Sequence, residues 1–246
     1  MLLSVQPPRK NLRCAFVPSL IRPWWRQPYV ALQFACVAAG AAALFAILAA
    51  RATVLGVMTE EGPIEWMTAR LYFFAAGSVW LMRSESVPVR VRVMLTIVLL
   101  AFAGREMDLH KAFTGISVLR LSFYFGEVPI GQRIGSAAVL APVAVSLLGL
   151  ARWTGPLVAR VRRQEAAAVT VATFVGALVL AKIADRSVNV LAEDLSIRIA
   201  PRLQGVFLAV EEVLELCLPC LACLACAQAT EDASPVAPRP PLTAGG

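Results

Sequence analysis

Residues 29–50 read YVALQFACVAAGAAALFAILAA, an uncharged run lying between Arg26 and Arg51. At a rise of about 1.5 Å per residue, a helix of this length spans about 30 Å, the thickness of the hydrocarbon core of a bilayer. No small-residue cleavage site ends the run, and its length favours an uncleaved anchor over a signal peptide. The residues before it carry Arg9, Lys10, Arg13, Arg22 and Arg26, and Pro7, Pro8, Pro18 and Pro23 break any long helix there.

Five further apolar runs follow, at 64–81, 88–107, 134–151, 166–184 and 205–227. Across 246 residues, 59% are hydrophobic, 16% are charged and the mean hydropathy is +0.71. A water-exposed surface needs more, since soluble domains carry about 25% charged residues. The charges here also cluster between the apolar runs. The expected fold is therefore all-α, a polytopic membrane helix bundle of about six transmembrane helices. Its divisions are an N-terminal cytoplasmic segment at 1–27, a transmembrane domain at 28–227, and a disordered cytoplasmic tail at 228–246 rich in proline. Pro142 and Pro219 fall inside runs, as membrane helices tolerate.

The formal net charge of +7 raises the question of nucleic acid. No RNA- or DNA-binding motif accompanies it, and the positions of the charges have another explanation. The N-terminus, the loops 82–92 and 152–165 and the tail together hold 13 of the 23 basic residues but only 4 of the 16 acidic ones. By the positive-inside rule those segments, and so both termini, face the cytoplasm. Membrane lipids and other membrane proteins are the expected partners, and nucleic acid is not.

This topology brings ionisable residues from four runs to the outer side. Glu60, Glu61 and Glu65 open the second run, with Arg70 deeper. Arg105, Glu106, Asp108, His110 and Lys111 close the third. Lys182, Asp185 and Arg186 close the fifth, and Glu211, Glu212 and Glu215 open the sixth. Charges facing lipid are costly, so such groups turn inward and pair. Spacings of three and four residues, as in Glu61/Glu65, Glu106/His110, Lys182/Asp185 and Glu211/Glu215, put partners on common helix faces. Glu106, Asp108, His110, Glu211 and Glu215 are the candidates for acid–base chemistry. Arg105, Lys111, Lys182 and Arg186 are candidates for holding an anion, with Glu61, Glu65 and Asp185 in support. The plainer reading is a set of helix-end salt bridges and solvated loop charges. His110, the only histidine, suits a divalent metal beside carboxylates, but no H-x-x-x-H or H-E-x-x-H pair accompanies it.

Residues 112–133 are too apolar for an exposed loop and too interrupted for two more spans, so an interfacial or re-entrant segment is expected, and 187–204 is of the same kind. Cys217, Cys220, Cys223 and Cys226 have the spacing of an iron–sulfur ligand run. On a helix, however, each three-residue step falls 60° short of a turn, so the four sweep about half the circumference. They point to one metal only if the helix unwinds at Pro219, and otherwise are small packing residues.

The run from Arg105 through Glu106, Met107, Asp108, Leu109 and His110 to Lys111 resembles an Arg-Glu-Met-Asp-(Phe/Leu)-His-Lys signature of uncharacterised multi-pass bacterial inner-membrane proteins. The stretches 61–65, 182–186 and 211–215 are similar to that group's other polar motifs. The resemblance implies a bacterial inner membrane with a periplasmic outer side, and implies no reaction. Three functions stay open: an enzyme or accessory acting on a lipid or envelope-linked substrate at the periplasmic leaflet, an ion- or proton-coupled transporter, and an assembly subunit of a membrane complex.

Overall fold

The computed structural model describes residues 23–59, 62–81, 87–109, 121–126, 128–191 and 199–232. Among them there is no strand. After a short 3-10 turn at Trp24–Arg26 come α1 (Val30–Leu48), α2 (Arg51–Met58), α3 (Pro63–Leu81), α4 (Val89–Glu106), α5 (Leu121–Phe125), α6 (Ile130–Ala151), α7 (Thr154–Arg162), α8 (Ala166–Asn189) and α9 (Pro201–Asp232). Each of the six apolar runs coincides with a helix. Three of these, α1, α6 and α8, are long and apolar enough to cross a membrane. The others carry more charge: Glu65 and Arg70 in α3, Arg90, Arg92, Arg105 and Glu106 in α4, and the three glutamates in the first half of α9.

The helices meet along stripes of small residues. On α1 the buried positions are Ala31, Ala35, Ala42 and Ala46. On α3 they include Ala69, Ala75 and Ala76, and on α8 Ala177, Ala181 and Ala184. Alanine at intervals of three and four lets backbones approach closely, which is how helices associate where lipid tails make burial of large side chains no advantage. The large apolar side chains point the other way. Leu32, Phe34, Val37, Leu44 and Leu48 of α1, Ile134, Val139, Val145 and Leu148 of α6, and Val175, Val179 and Leu180 of α8 are exposed. So much outward apolar surface suits hydrocarbon and not water.

Helix α9 is the hub, packing against α8, α1, α3 and α2. Leu214, Cys217, Leu218 and Leu221 of α9 form the main core with Tyr72, Ala75, Val79, Leu99 and Ala181. Helix α6 docks on α4, where a Cβ on Gly149 would lie 2.7 Å from the end of the Met94 side chain. The Trp80 indole donates to Thr96 Oγ1 (2.9 Å), fastening α3 to α4. At the opposite end of the bundle from α4's last turn, the buried Thr170 hydroxyl donates to Gln228 Oε1 (2.7 Å). The Gln228 amide donates in turn to the carbonyl of Trp25 (2.7 Å), joining α8, α9 and the chain before α1.

Two elements depart from the sequence reading. The first apolar run ends at Leu48, and Arg51–Met58 forms a separate helix whose Val54 and Met58 are buried with Ala42, Ala46 and Ala209. The loop 152–165 contains a helix, α7, with no buried residue. The interfacial segment expected at 112–133 and the one at 187–204 lie partly outside the described residues. Within the first, α5 buries Phe123 and exposes Phe125, and Arg133 donates to the carbonyl of Gly126. Pro219 leaves α9 continuous, so the four cysteines fan around an unbroken helix as free thiols. Cys217 and Cys226 are buried, and Cys220 and Cys223 are partly so.

Candidate functional site

The last turn of α4 presents Arg105 and Glu106 toward α9, which presents Glu211 and Glu215 one turn apart. Helix α8 brings Lys182 and Asp185 to the same place. Arg105 Nη2 donates to Glu215 Oε1 at 2.8 Å, and Lys182 Nζ meets that same oxygen at 2.8 Å. Lys182 also lies 3.8 Å from Glu211 Oε1 and 3.6 Å from Asp185 Oδ2, while Arg105 Nη1 is 3.6 Å from Glu106 Oε1. Glu215 is the centre. Its side chain is 6% exposed, against 30% for Arg105 and 39% for Lys182, so the cations reach inward from a wetter rim to a buried carboxylate.

Among the described residues carboxylates outnumber cations here. Arg105 and Lys182 serve Glu106, Glu211, Glu215 and Asp185, and two more acids stand close by. Glu212 is buried, and Glu65 of α3 lies within electrostatic reach of both Glu106 and Glu212. Glu106 Oε1 is buried and accepts no hydrogen bond from the described residues, its distance to Arg105 being that of a loose ion pair. The Pro219 ring also removes the N–H that would bond the Glu215 carbonyl within α9, leaving a further acceptor nearby. Among the described residues the site is rich in acceptors and short of donors, which is the composition for holding protons or for meeting a donor-bearing head group.

Below the network lies an aromatic floor. The Tyr72 ring stacks on Phe102 (centroids 5.4 Å apart, 12° between planes), and Phe102 meets Phe174 edge-on at 6.2 Å. Tyr72 is completely buried, its hydroxyl has no hydrogen-bond partner among the described residues, and it sits within electrostatic reach of Glu106, Glu215 and Arg105.

A cleft of about 520 Å³ opens beside the network between α1, α2, α8 and α9. Its surface divides nearly evenly between polar and apolar, the apolar part coming from Ala46, Val54, Leu55, Val188, Phe207 and Leu208. Its polar lining comprises Arg51, Arg202 and Gln204 with Asp185 and Glu211, the last two shared with the ionic network.

Of the residues singled out in the sequence, Arg105, Glu106, Lys182, Asp185, Glu211 and Glu215 come together. Glu65 adjoins them. Arg186 does not join them, being exposed one turn beyond Lys182. Asp108 follows the end of α4 with its backbone in the left-handed region (φ 49°), which aspartate tolerates better than most residues. Glu61, His110 and Lys111 lie outside the described residues. Among the described residues no three His, Cys, Asp or Glu side chains assemble as a metal-holding group, so neither the divalent-metal reading nor the cysteine-cluster reading gains a ligand set. Sequence reasoning did not single out Tyr72, Arg51 or Arg202, and it passed over Glu212. Gly62, in the stretch 61–65, has a structural role: a Cβ there would lie 2.7 Å from the carbonyl oxygens of Thr59 and Val57. Comparison with protein-family models, with curated proteins and with solved structures gives no match to this chain.

Proposed function

We propose that this chain is a six-pass protein of a bacterial inner membrane, with both termini cytoplasmic, that binds an amphipathic lipid or envelope-linked substrate at the periplasmic leaflet and acts on its head group. The observation that carries the reading is the cleft. The apolar part of its surface suits chains of a molecule entering from the bilayer, and Arg51 and Arg202 suit an anionic head such as a phosphate. Asp185 and Glu211 link that head to the acid-rich network, where Glu106 and Glu211 supply proton-accepting groups and Lys182 and Arg105 pair with Glu215. The apolar packing of Ala75, Val79, Leu99, Leu218 and Leu221 between this end and the Thr170–Gln228 end favours work at one face over passage through the bundle. The bacterial inner membrane rests on the resemblance of residues 105–111, and the orientation on the arginine bias of the loops.

Photolabelling tests it. A phosphatidylethanolamine bearing a diazirine near its head group should label peptides covering 46–55 and 201–211 in the purified protein. Ala50→Trp, which narrows the mouth of the cleft at an exposed position, should suppress that labelling while the protein stays folded. Labelling spread evenly over the bundle and unchanged by Ala50→Trp would overturn the proposal.

A further inference from the structure

A second cavity, about 650 Å³, lies at the other end of the bundle. Five parts of the chain wall it. Arg26 and Pro28 come from the segment before α1, Val87 from the approach to α4, and Arg160, Arg163, Gln164 and Glu165 from the end of α7 and the turn after it. Ala166 opens α8, and Gln228 and Ala229 come from the end of α9. Three arginines and one glutamate share this lining. Glu165 pairs with Arg160, and among the described lining residues Arg163 adds a further cation.

The backbone reinforces that charge. Helix α8, of 24 residues, begins here, and its N-cap residue Glu165 makes no capping hydrogen bond, its carboxylate being engaged with Arg160. The start of a long helix carries partial positive charge and free donors, a ready place for an anion. The turn 163–165 is built for the site: Gln164 takes a left-handed backbone (φ 57°), and Arg163 N–H bonds carbonyls of α7, which swings the chain from α7 into α8 with the arginines on the cavity side. The floor is rigid, since Gln228 is held by Thr170 and by the Trp25 carbonyl. Close in sequence to the lining residues Pro28 and Arg160, the side chains of Tyr29, Leu32 and Val158 are apolar and exposed.

We infer that this cavity binds the phosphate head of an anionic phospholipid, with the acyl chains lying along these exposed apolar side chains. Basic cavities between helix ends at a membrane surface take such heads, and the neighbouring apolar side chains select a lipid over a free anion. The inference needs the chain to sit in a bilayer but is independent of the cleft at the opposite end.

The test uses the full-length protein in nanodiscs of equal phosphatidylglycerol and phosphatidylcholine, transferred to detergent, with the retained lipid identified by native mass spectrometry. Phosphatidylglycerol should be enriched on the wild type, and each of Arg160→Gln and Arg163→Gln should lower the enrichment about fivefold. Arg90→Gln, a basic residue outside the cavity, should leave it unchanged. Equal retention of both lipids by the wild type, or loss in Arg90→Gln as great as in the cavity variants, would overturn the assignment. So would inorganic phosphate that binds the lipid-free protein and displaces phosphatidylglycerol at millimolar concentration, which would make the ligand a soluble anion.

Discussion

Glu215 takes two cations on one carboxylate oxygen, and its own burial makes that arrangement strict. Neutralising it leaves Arg105 and Lys182 facing Glu106, Glu211 and Asp185 without their central acceptor. Breaking a buried pair from one side costs about 3–5 kcal/mol, and the partial exposure of both cations reduces this, so Glu215→Gln should destabilise by about 2 kcal/mol. Glu211→Gln, farther from Lys182, should cost well under half as much. Unfolding followed by thiol-reactive dye, to which Cys217 and Cys226 become accessible only on opening, measures both; equal losses would remove Glu215 from the centre. These charged residues were legible in the sequence because an ionisable group inside an apolar run has few places to go but inward. Tyr72 was not, since an aromatic in a membrane helix is ordinary and only the packing of α3 on α4 reveals a hydroxyl buried among carboxylates. Glu212 was obscured by its neighbours, because the four-residue spacing selects Glu211 and Glu215 while the position of α9 as hub buries the residue between them as well.

At the scale of elements, the apolar runs located the long helices to within a few residues, for a physical reason: long uncharged stretches make helices that satisfy their own backbone. The short helices were hidden. Arg51–Met58 has too few residues to show a period, and it forms because Val54 and Met58 find the alanines of α1 and Ala209. Helix α7 buries nothing and was read as loop from its arginines. The turn joining α2 to α3 depends on Gly62, whose missing Cβ avoids two backbone oxygens that cannot step aside as a side chain would. Gly62→Ala should therefore destabilise by about 1–3 kcal/mol and disturb the placement of Glu65, whereas Gly149→Ala, which meets only the flexible tip of Met94, should cost less than about 1 kcal/mol. Melting of the two variants side by side would show it, and a reversed order would refute the account of the turn. Gln228→Leu removes two hydrogen bonds and strands the buried Thr170 hydroxyl, for a loss of about 1–3 kcal/mol in the same assay. A change there too small to measure would mean the buried amide does not fasten this end of the bundle.

For the whole molecule, the contacts themselves fix which helix ends lie together. The start of α3, the end of α4, the end of α8 and the first half of α9 converge on the ionic network. The chain before α1, the start of α8 and the end of α9 converge on Gln228. Successive long helices thus alternate in direction. Which end faces which compartment is a question of charge. The Gln228 end carries Arg26, Arg160, Arg162 and Arg163, and the sequence before Arg26 adds Arg9, Lys10, Arg13 and Arg22 without an acidic residue. The network end is balanced or acidic. Moving clustered arginines across a membrane is disfavoured, so the Gln228 end should be cytoplasmic and the network end periplasmic. Reporters active in only one compartment test this in three places. Fusions after Gly246 and within 152–163 should read cytoplasmic, and an insertion near Glu60, between α2 and α3 in sequence, should read periplasmic. A cytoplasmic reading near Glu60 would turn the bundle over, place the cleft and its carboxylates in the inner leaflet, and leave the proposed envelope substrate on the wrong side of the membrane.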